Sequence, residues 1–206
     1  MPLVRRDIAP SPAASTAADQ AATRDALRAA EPEMRWNAAR ALGTDPASVA
    51  ALAAALETEP VPRVREAIVT ALMRIGSEDS VRALLPYLRV QDAALRGAAL
   101  DALQALPDST VPFLSMLLHD ADSDVRILAV ELVRGMPAAE ATRQLCDMLE
   151  HEPHPNVCAS AVDALAEIGT PDALPALERC ARRFADTPFL PFAISIALTR
   201  ISNGQG

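Results

Sequence analysis

The sequence contains no lysine; all 19 of its basic residues are arginine. Schiff-base chemistry and the lysine of a phosphate-binding loop are therefore excluded. Aromatic residues make up only 3% of the chain, with one Trp and one Tyr. A core without large rings has to be packed from Ala, Leu and Val. Cysteine is scarce: Cys146, Cys158 and Cys180 are odd in number and do not form a disulfide framework. No apolar run is long enough to span a bilayer, which takes roughly 20 residues. The longest, residues 189–198, is interrupted by Pro191 and Ser195. No apolar run follows Arg5 and Arg6, so no export signal is read, and the cytoplasm is the expected compartment.

Against these absences stand 206 residues, 50% of them hydrophobic. Alanine supplies about a fifth of the chain and is the best helix former, so the composition is that of an all-α protein. The net charge of -8 opposes sequence-independent binding to nucleic acid and to anionic membranes. The pairing of abundant Ala and Arg with absent Lys points to a GC-rich, bacterial source.

Residues 1–18 contain the stretch Ala9-Pro10-Ser11-Pro12-Ala13 and read as a disordered tail. Beyond it one element recurs: Met34-Arg35, Val64-Arg65, Leu95-Arg96, Val125-Arg126, Val157-Cys158 and Leu190-Pro191. The spacing is about 30 to 33 residues, the signature of a repeat array. Apolar residues follow each marker at offsets 4, 7, 8 and 11, as in Val64, Ile68, Ala71, Leu72 and Ile75, which places them on one helical face. A second helix follows each of the first five markers, with stripes such as Val49, Leu52, Leu56 and Val111, Leu114, Leu118. Gly76-Ser77, Pro107-Asp108 and Gly169-Thr170-Pro171 supply helix stops, N-caps and first-turn prolines. Residues 19–30 provide the helix that precedes the first marker.

The element Asp122-Ser123-Asp124-Val125-Arg126, with Asp92-Ala93-Ala94-Leu95-Arg96 and Glu31-Pro32-Glu33-Met34-Arg35, resembles the inter-helix turn of the HEAT-repeat family. The shortness of the repeat is similar to the branch of phycocyanobilin-lyase-type HEAT-like repeats. The resemblance implies a right-handed α-α solenoid of about six short helix pairs over residues 19–206. It also implies that Arg35, Arg65, Arg96 and Arg126 form a structural ladder, bonding turn acids and helix-end carbonyls of neighbouring repeats. The planar guanidinium fork suits that task. Cys158 breaks the ladder, and the junction of the last two repeats is expected to be altered there.

By the same resemblance the helix that opens with Val-Arg lines the concave face. Offsets 2 and 6 from the Val then face the groove, with 9 or 10 beyond. Those offsets name Trp36, Arg40, Glu66, Thr70, Asp101, Glu131 and Asp163 as candidate partner-binding residues. Asp101, Glu131 and Asp163 fall in successive repeats and read either as a solvated face or as an acidic stripe for a basic helix or tail. Trp36 either anchors one end of a partner or packs beneath the N-terminal tail. The last helix carries Phe189, Phe192 and Ile196 and has little polar face. It is either an interface, with a homodimer as one form, or is covered by its neighbours.

Nothing in the sequence points to catalysis, a cofactor or a metal. His151-Glu152-Pro153-His154 lies in a Pro-broken loop, whereas a zinc site needs about four convergent ligands. The chain has three histidines, too few for the several His-Glu pairs of the HEAT-like iron hydroxylases. The reading is a non-catalytic scaffold or adaptor, in bacterial signalling or regulation, that binds a protein partner. A bilin-lyase-like or chaperone factor acting on a chromoprotein, and a self-assembling structural subunit, are the alternatives.

Overall fold

The computed structural model describes residues 12–203, and all regular structure among them is helical. Twelve α-helices follow in order: α1 (Pro12–Asp25), α2 (Pro32–Leu42), α3 (Val49–Thr58), α4 (Pro62–Ile75), α5 (Glu78–Leu84), α6 (Ala93–Gln104), α7 (Pro107–Leu118), α8 (Ser123–Val133), α9 (Ala138–His151), α10 (Pro155–Ile168), α11 (Leu174–Arg183) and α12 (Leu190–Asn203). Short 3-10 turns extend several of them, such as Leu85–Arg89 after α5. In chain order α2, α4, α6, α8, α10 and α12 each carry one marker, at the period the sequence sets.

Local chemistry sets the helix ends. Pro32, Pro62, Pro107 and Pro155 each open a helix, where a missing N–H costs nothing. Asp92 and Asp122 cap α6 and α8, Asp92 accepting from the Ala94 and Leu95 amides and Asp122 from the Asp124 amide. Gly76 ends α4 in the left-handed region at φ 67°, and its N–H reaches the Leu72 carbonyl at 3.1 Å. Helix α1 starts at Pro12, so residues 12–18 of the expected tail are helical; residues 1–11 lie outside the described residues.

The contacts divide the chain into two compact units, Met1–Leu84 and Leu85–Gly206. In the first, α2 packs on α4 and α3 packs on both α4 and α5. In the second, α6, α8, α10 and α12 pack each on the next, with α7, α9 and α11 against them as the partner layer. This is the repeating pair architecture that the periodicity implies.

The core is built from small and aliphatic side chains. Val64, Ile68 and Leu72 are fully buried, as are Val125, Ala129 and Val133, and Val157, Ala161 and Leu165. No aromatic side chain is among the buried residues, so helices approach through Ala and Leu. In α7 the stripe differs from the expected one. Thr110 turns inward and donates its hydroxyl to the Leu103 carbonyl at 3.1 Å, while Val111 is left 42% exposed. The satisfied hydroxyl makes threonine acceptable inside and rotates α7 by about one position.

Candidate functional site

Arg35, Arg96 and Arg126 each hold their helix to the turn before it. Arg35 donates from Nη1 to the carbonyls of Ala29 and Ala30, both at 2.9 Å. Its Nε and Nη2 grip Glu59 at 2.7 and 2.9 Å. Arg126 repeats the arrangement: Nη1 to Asp120 and Ala121 carbonyls at 2.7 and 3.2 Å, Nε and Nη2 to Glu152 at 2.7 and 2.9 Å. The glutamate side chains of both rungs are 3% exposed. Each also accepts a turn amide, Val61 N–H on Glu59 at 2.9 Å and His154 N–H on Glu152 at 2.8 Å. The Arg35 hydrogen bond outweighs burial and holds Glu59 below its ordinary range. Burial pushes Glu152 up, but the Arg126 and His154 bonds leave it lowered as well. Arg65 contributes charge near Glu59, and Arg96 bonds the Val90 carbonyl at 2.7 Å.

At Cys158 the column has no guanidinium of its own. Arg183 of α11 supplies one from the next pair. Its Nη2 donates to the Leu149 and Glu152 carbonyls at 2.6 and 2.9 Å and lies 3.8 Å from the Cys158 sulfur, while Nη1 donates to the Glu150 carbonyl at 2.5 Å. The junction is altered rather than opened.

On α8 and α10 the acidic positions meet at one arginine that the sequence reading did not single out. Arg134 pairs with Glu131 at 3.1 Å, with Asp163 at 2.7 Å, and with Glu167. Burial works against the Arg134 charge, but the Asp163 and Glu131 carboxylates hold it above the ordinary arginine value. From α6, Gln104 reaches the Glu131 carbonyl at 3.5 Å, tying the third second-helix to the same network. Asp163 and Glu167 stay 75% and 67% exposed despite their pairing. Asp101 is exposed on α6, and among the described residues its carboxylate has no hydrogen bond or ion pair. The face therefore carries four carboxylates against one guanidinium. Arg134 and Glu167 sit at offsets 9 and 10 from their markers. The spacing of three between Glu131 and Arg134 is the signal that could have found the pair. Gly97 lies on α6 one turn before Asp101, and a Cβ there would meet nothing within 4 Å.

In the first unit the ring of Trp36 is half-buried. The Arg40 and Arg63 guanidinium groups lie 4.5 and 5.5 Å from its centroid, the second of them also paired with Glu33. Glu66 and Thr70 are exposed on α4. Trp36 is thus ordered by cations on the same surface; any contact with residues 1–11 lies outside the described residues.

Phe189, just before α12, is 45% exposed, and on α12 Phe192 is 70% and Ile196 39% exposed. Leu190, Ile194, Ala197 and Ile201 face the core instead. Its outward side exposes Phe192 and Ile196 beside Ser195, Thr199 and Arg200.

Two of the three thiols are raised, while Cys180, hydrogen-bonded with Cys158, is lowered. Burial, with Asp147 and Glu150 nearby, pushes Cys146 up to about 11. The neighbouring Cys180 and burial push Cys158 up. Among the described residues no group of three His, Cys, Asp or Glu is placed to hold a metal ion, and no helix is long and apolar enough to cross a membrane.

Residues 21–104 and 110–187 match the family model described as HEAT repeats. No curated protein matches the chain in sequence. Among solved structures the chain is similar to an engineered protein, with 21% identity and a TM-score of 0.43 over 90% of this chain and 97% of that one. It is also similar to human deoxyhypusine hydroxylase, at 19% identity and a TM-score of 0.45 over 94% and 86% of the two chains. A third likeness is to the phycocyanin lyase complex of a Nostoc species, at 16% identity and a TM-score of 0.40 over 97% and 98%.

Proposed function

The chain belongs to the HEAT-repeat family, and from that premise we propose that it is a non-catalytic adaptor whose α6–α8–α10 face receives a basic helix or tail of a protein partner. Stacked helix pairs present long side-chain surfaces that suit extended segments better than small substrates. The observation that carries the reading is the charge on this face. Among the described residues Asp101 is unpaired, and Arg134 offsets only one of the charges on Glu131, Asp163 and Glu167. Such a surface steers a cationic partner and rejects an anionic one. Trp36, stacked with Arg40 and Arg63, offers a second, apolar contact in the first unit.

The test is a tagged pull-down from native cells, comparing the wild type with the triple reversal Asp101→Arg, Glu131→Arg, Asp163→Arg. The wild type is expected to retain one stoichiometric partner with a basic segment, and the variant to lose it while its helical circular dichroism is unchanged. Equal capture by both would remove the acidic face from the mechanism.

The exposure of Phe189, Phe192 and Ile196 favours a second reading, self-association through α12. Light scattering would then give a dimer for the wild type and a monomer for Ile196→Glu. A monomer in both cases rules it out.

A further inference from the structure

The third arginine of the column differs from the first and the fourth. Arg35 and Arg126 use both edges of the guanidinium, Nη1 on two carbonyls and Nε with Nη2 on a buried glutamate. Arg96 keeps only part of this, one hydrogen bond from Nη1 to the Val90 carbonyl at 2.7 Å. The cause is in the sequence. Glu59 and Glu152 stand six residues before Arg65 and Cys158; the residue six before Arg126 is Asp120. Aspartate is one methylene shorter. Its carboxylate accepts the Asp122 N–H at 3.0 Å and pairs with Arg89, so it is already engaged. Among the described residues no carboxylate bonds Nε or Nη2 of Arg96.

Arg96 lines a cleft of about 350 Å³. Arg96 and Arg89 line one part of it, Asp122 and Asp124 another, and Leu88 and Ile127 give it apolar wall. Arg96 is half-buried, so its donors are partly withdrawn from water. A planar fork with two free donors on one edge matches a carboxylate in two parallel bonds. The two aspartates would repel a bare anion, which selects for an occupant that brings a positive charge with its carboxylate. Ile127 is at offset 2 of α8, so the cleft adjoins the face that also carries Glu131.

We propose that this cleft receives a glutamate side chain of the bound partner, its carboxylate closing the Arg96 rung as Glu59 and Glu152 close theirs, with a basic residue beside it meeting Asp122 and Asp124. The inference rests on the reading of the chain as a partner-binding protein and gives that partner a recognisable feature, an acidic–basic pair within a basic segment.

The test uses the full ¹⁵N-labelled chain and two blocked dipeptides, N-acetyl-Glu-Arg-amide and N-acetyl-Gln-Arg-amide. The readout is the arginine Nε–Hε cross-peak of Arg96, assigned by its loss in Arg96→Leu. The Glu dipeptide is expected to move this peak saturably, and the Gln dipeptide to bind about tenfold more weakly, since one charge-assisted pair is removed. Equal shifts with both dipeptides, or none with either, overturn the proposal. A second variant approaches the same point from inside. Asp120→Glu restores the missing methylene and lets the chain fill its own rung, so the Glu dipeptide should bind about tenfold more weakly to it. Unchanged binding to a folded Asp120→Glu variant also overturns the proposal. The result is separable from that of the charge reversal on α6, α8 and α10. A flat dipeptide titration defeats the cleft alone, and partner capture that survives the reversal defeats the acidic face alone.

Discussion

Arg183 stands in for the arginine that Cys158 replaces: its Nη2 lies 3.8 Å from the Cys158 sulfur and donates to the Glu152 carbonyl at 2.9 Å. In the pair before, Arg126 serves the Asp120 carbonyl, which is likewise six residues before the column position, at 2.7 Å. One task is done from within the repeat in one case and from the next repeat in the other. Arg183→Leu strands the part-buried Leu149 carbonyl and leaves the Glu152 carbonyl only the Cys158 thiol, at 3.5 Å. The expected loss is about 1–3 kcal/mol in urea unfolding. Adding Cys158→Arg should recover part of it, because the guanidinium then returns to its usual origin. Recovery by an unrelated substitution such as Cys158→Ala would count against the replacement argument.

The Glu152–Arg126 rung should be worth far more than the exposed pairs. Glu152→Gln leaves a buried guanidinium edge without its counter-charge and is expected to cost about 2 kcal/mol. Asp147→Asn removes an exposed partner of Arg143 at 3.4 Å and should change stability by less than about 0.5 kcal/mol. Chemical denaturation of both variants checks the contrast.

Acid should unfold the protein through the same rungs. Glu59 and Glu152 are held below the ordinary glutamate value of 4.5, so the unfolded chain takes up their protons first as the pH falls. Their contribution is complete above that value and is lost as the pH drops through the lower folded-state values. The melting temperature is therefore expected to be flat from pH 7 to about 5 and to fall steeply below about 4.5. Glu59→Gln with Glu152→Gln should start lower and show a shallower fall.

Arg134 moderates the acidic face. Arg134→Ala frees the Glu131, Asp163 and Glu167 carboxylates it now holds. Association with a basic partner is expected to become several-fold faster at low salt, with a steeper loss as salt is added. Stopped-flow mixing at two ionic strengths measures both effects.

Gly76 ends α4 at φ 67°, a conformation that costs any residue with a Cβ. Gly76→Ala should destabilise by about 1 kcal/mol, whereas the half-buried Gly97→Ala, with open space for its Cβ, should stabilise α6 slightly. Thermal unfolding of the two variants tests the difference.

Much of the pair architecture was legible because it depends on period. A repeat of about 30 residues with apolar offsets of 4, 7, 8 and 11 admits few arrangements other than stacked helix pairs. The proline and glycine positions marked most helix ends for the same local reason. The reading failed where neighbours compete. Val111 and Thr110 are adjacent candidates for one inward position, and only the Leu103 carbonyl, which satisfies the hydroxyl, decides between them. The start of α1 at Pro12 was missed because alanine, serine and proline suit both a tail and a helix's first turn.

The amino-acid order by itself determined the family, the helix periodicity, most of the core stripes and the recurring arginines. These follow from local propensity and from spacing along one chain. Which charges meet was decided only by the tertiary structure. Arg134 gathers carboxylates from two helices, Arg183 crosses from α11 to the end of α9, and Asp120 turns to Arg89 and leaves the Arg96 fork open. Such pairings depend on distances of a few ångströms between residues some 30 positions apart. A single methylene, the difference between Asp120 and a glutamate, is enough to redirect one of them.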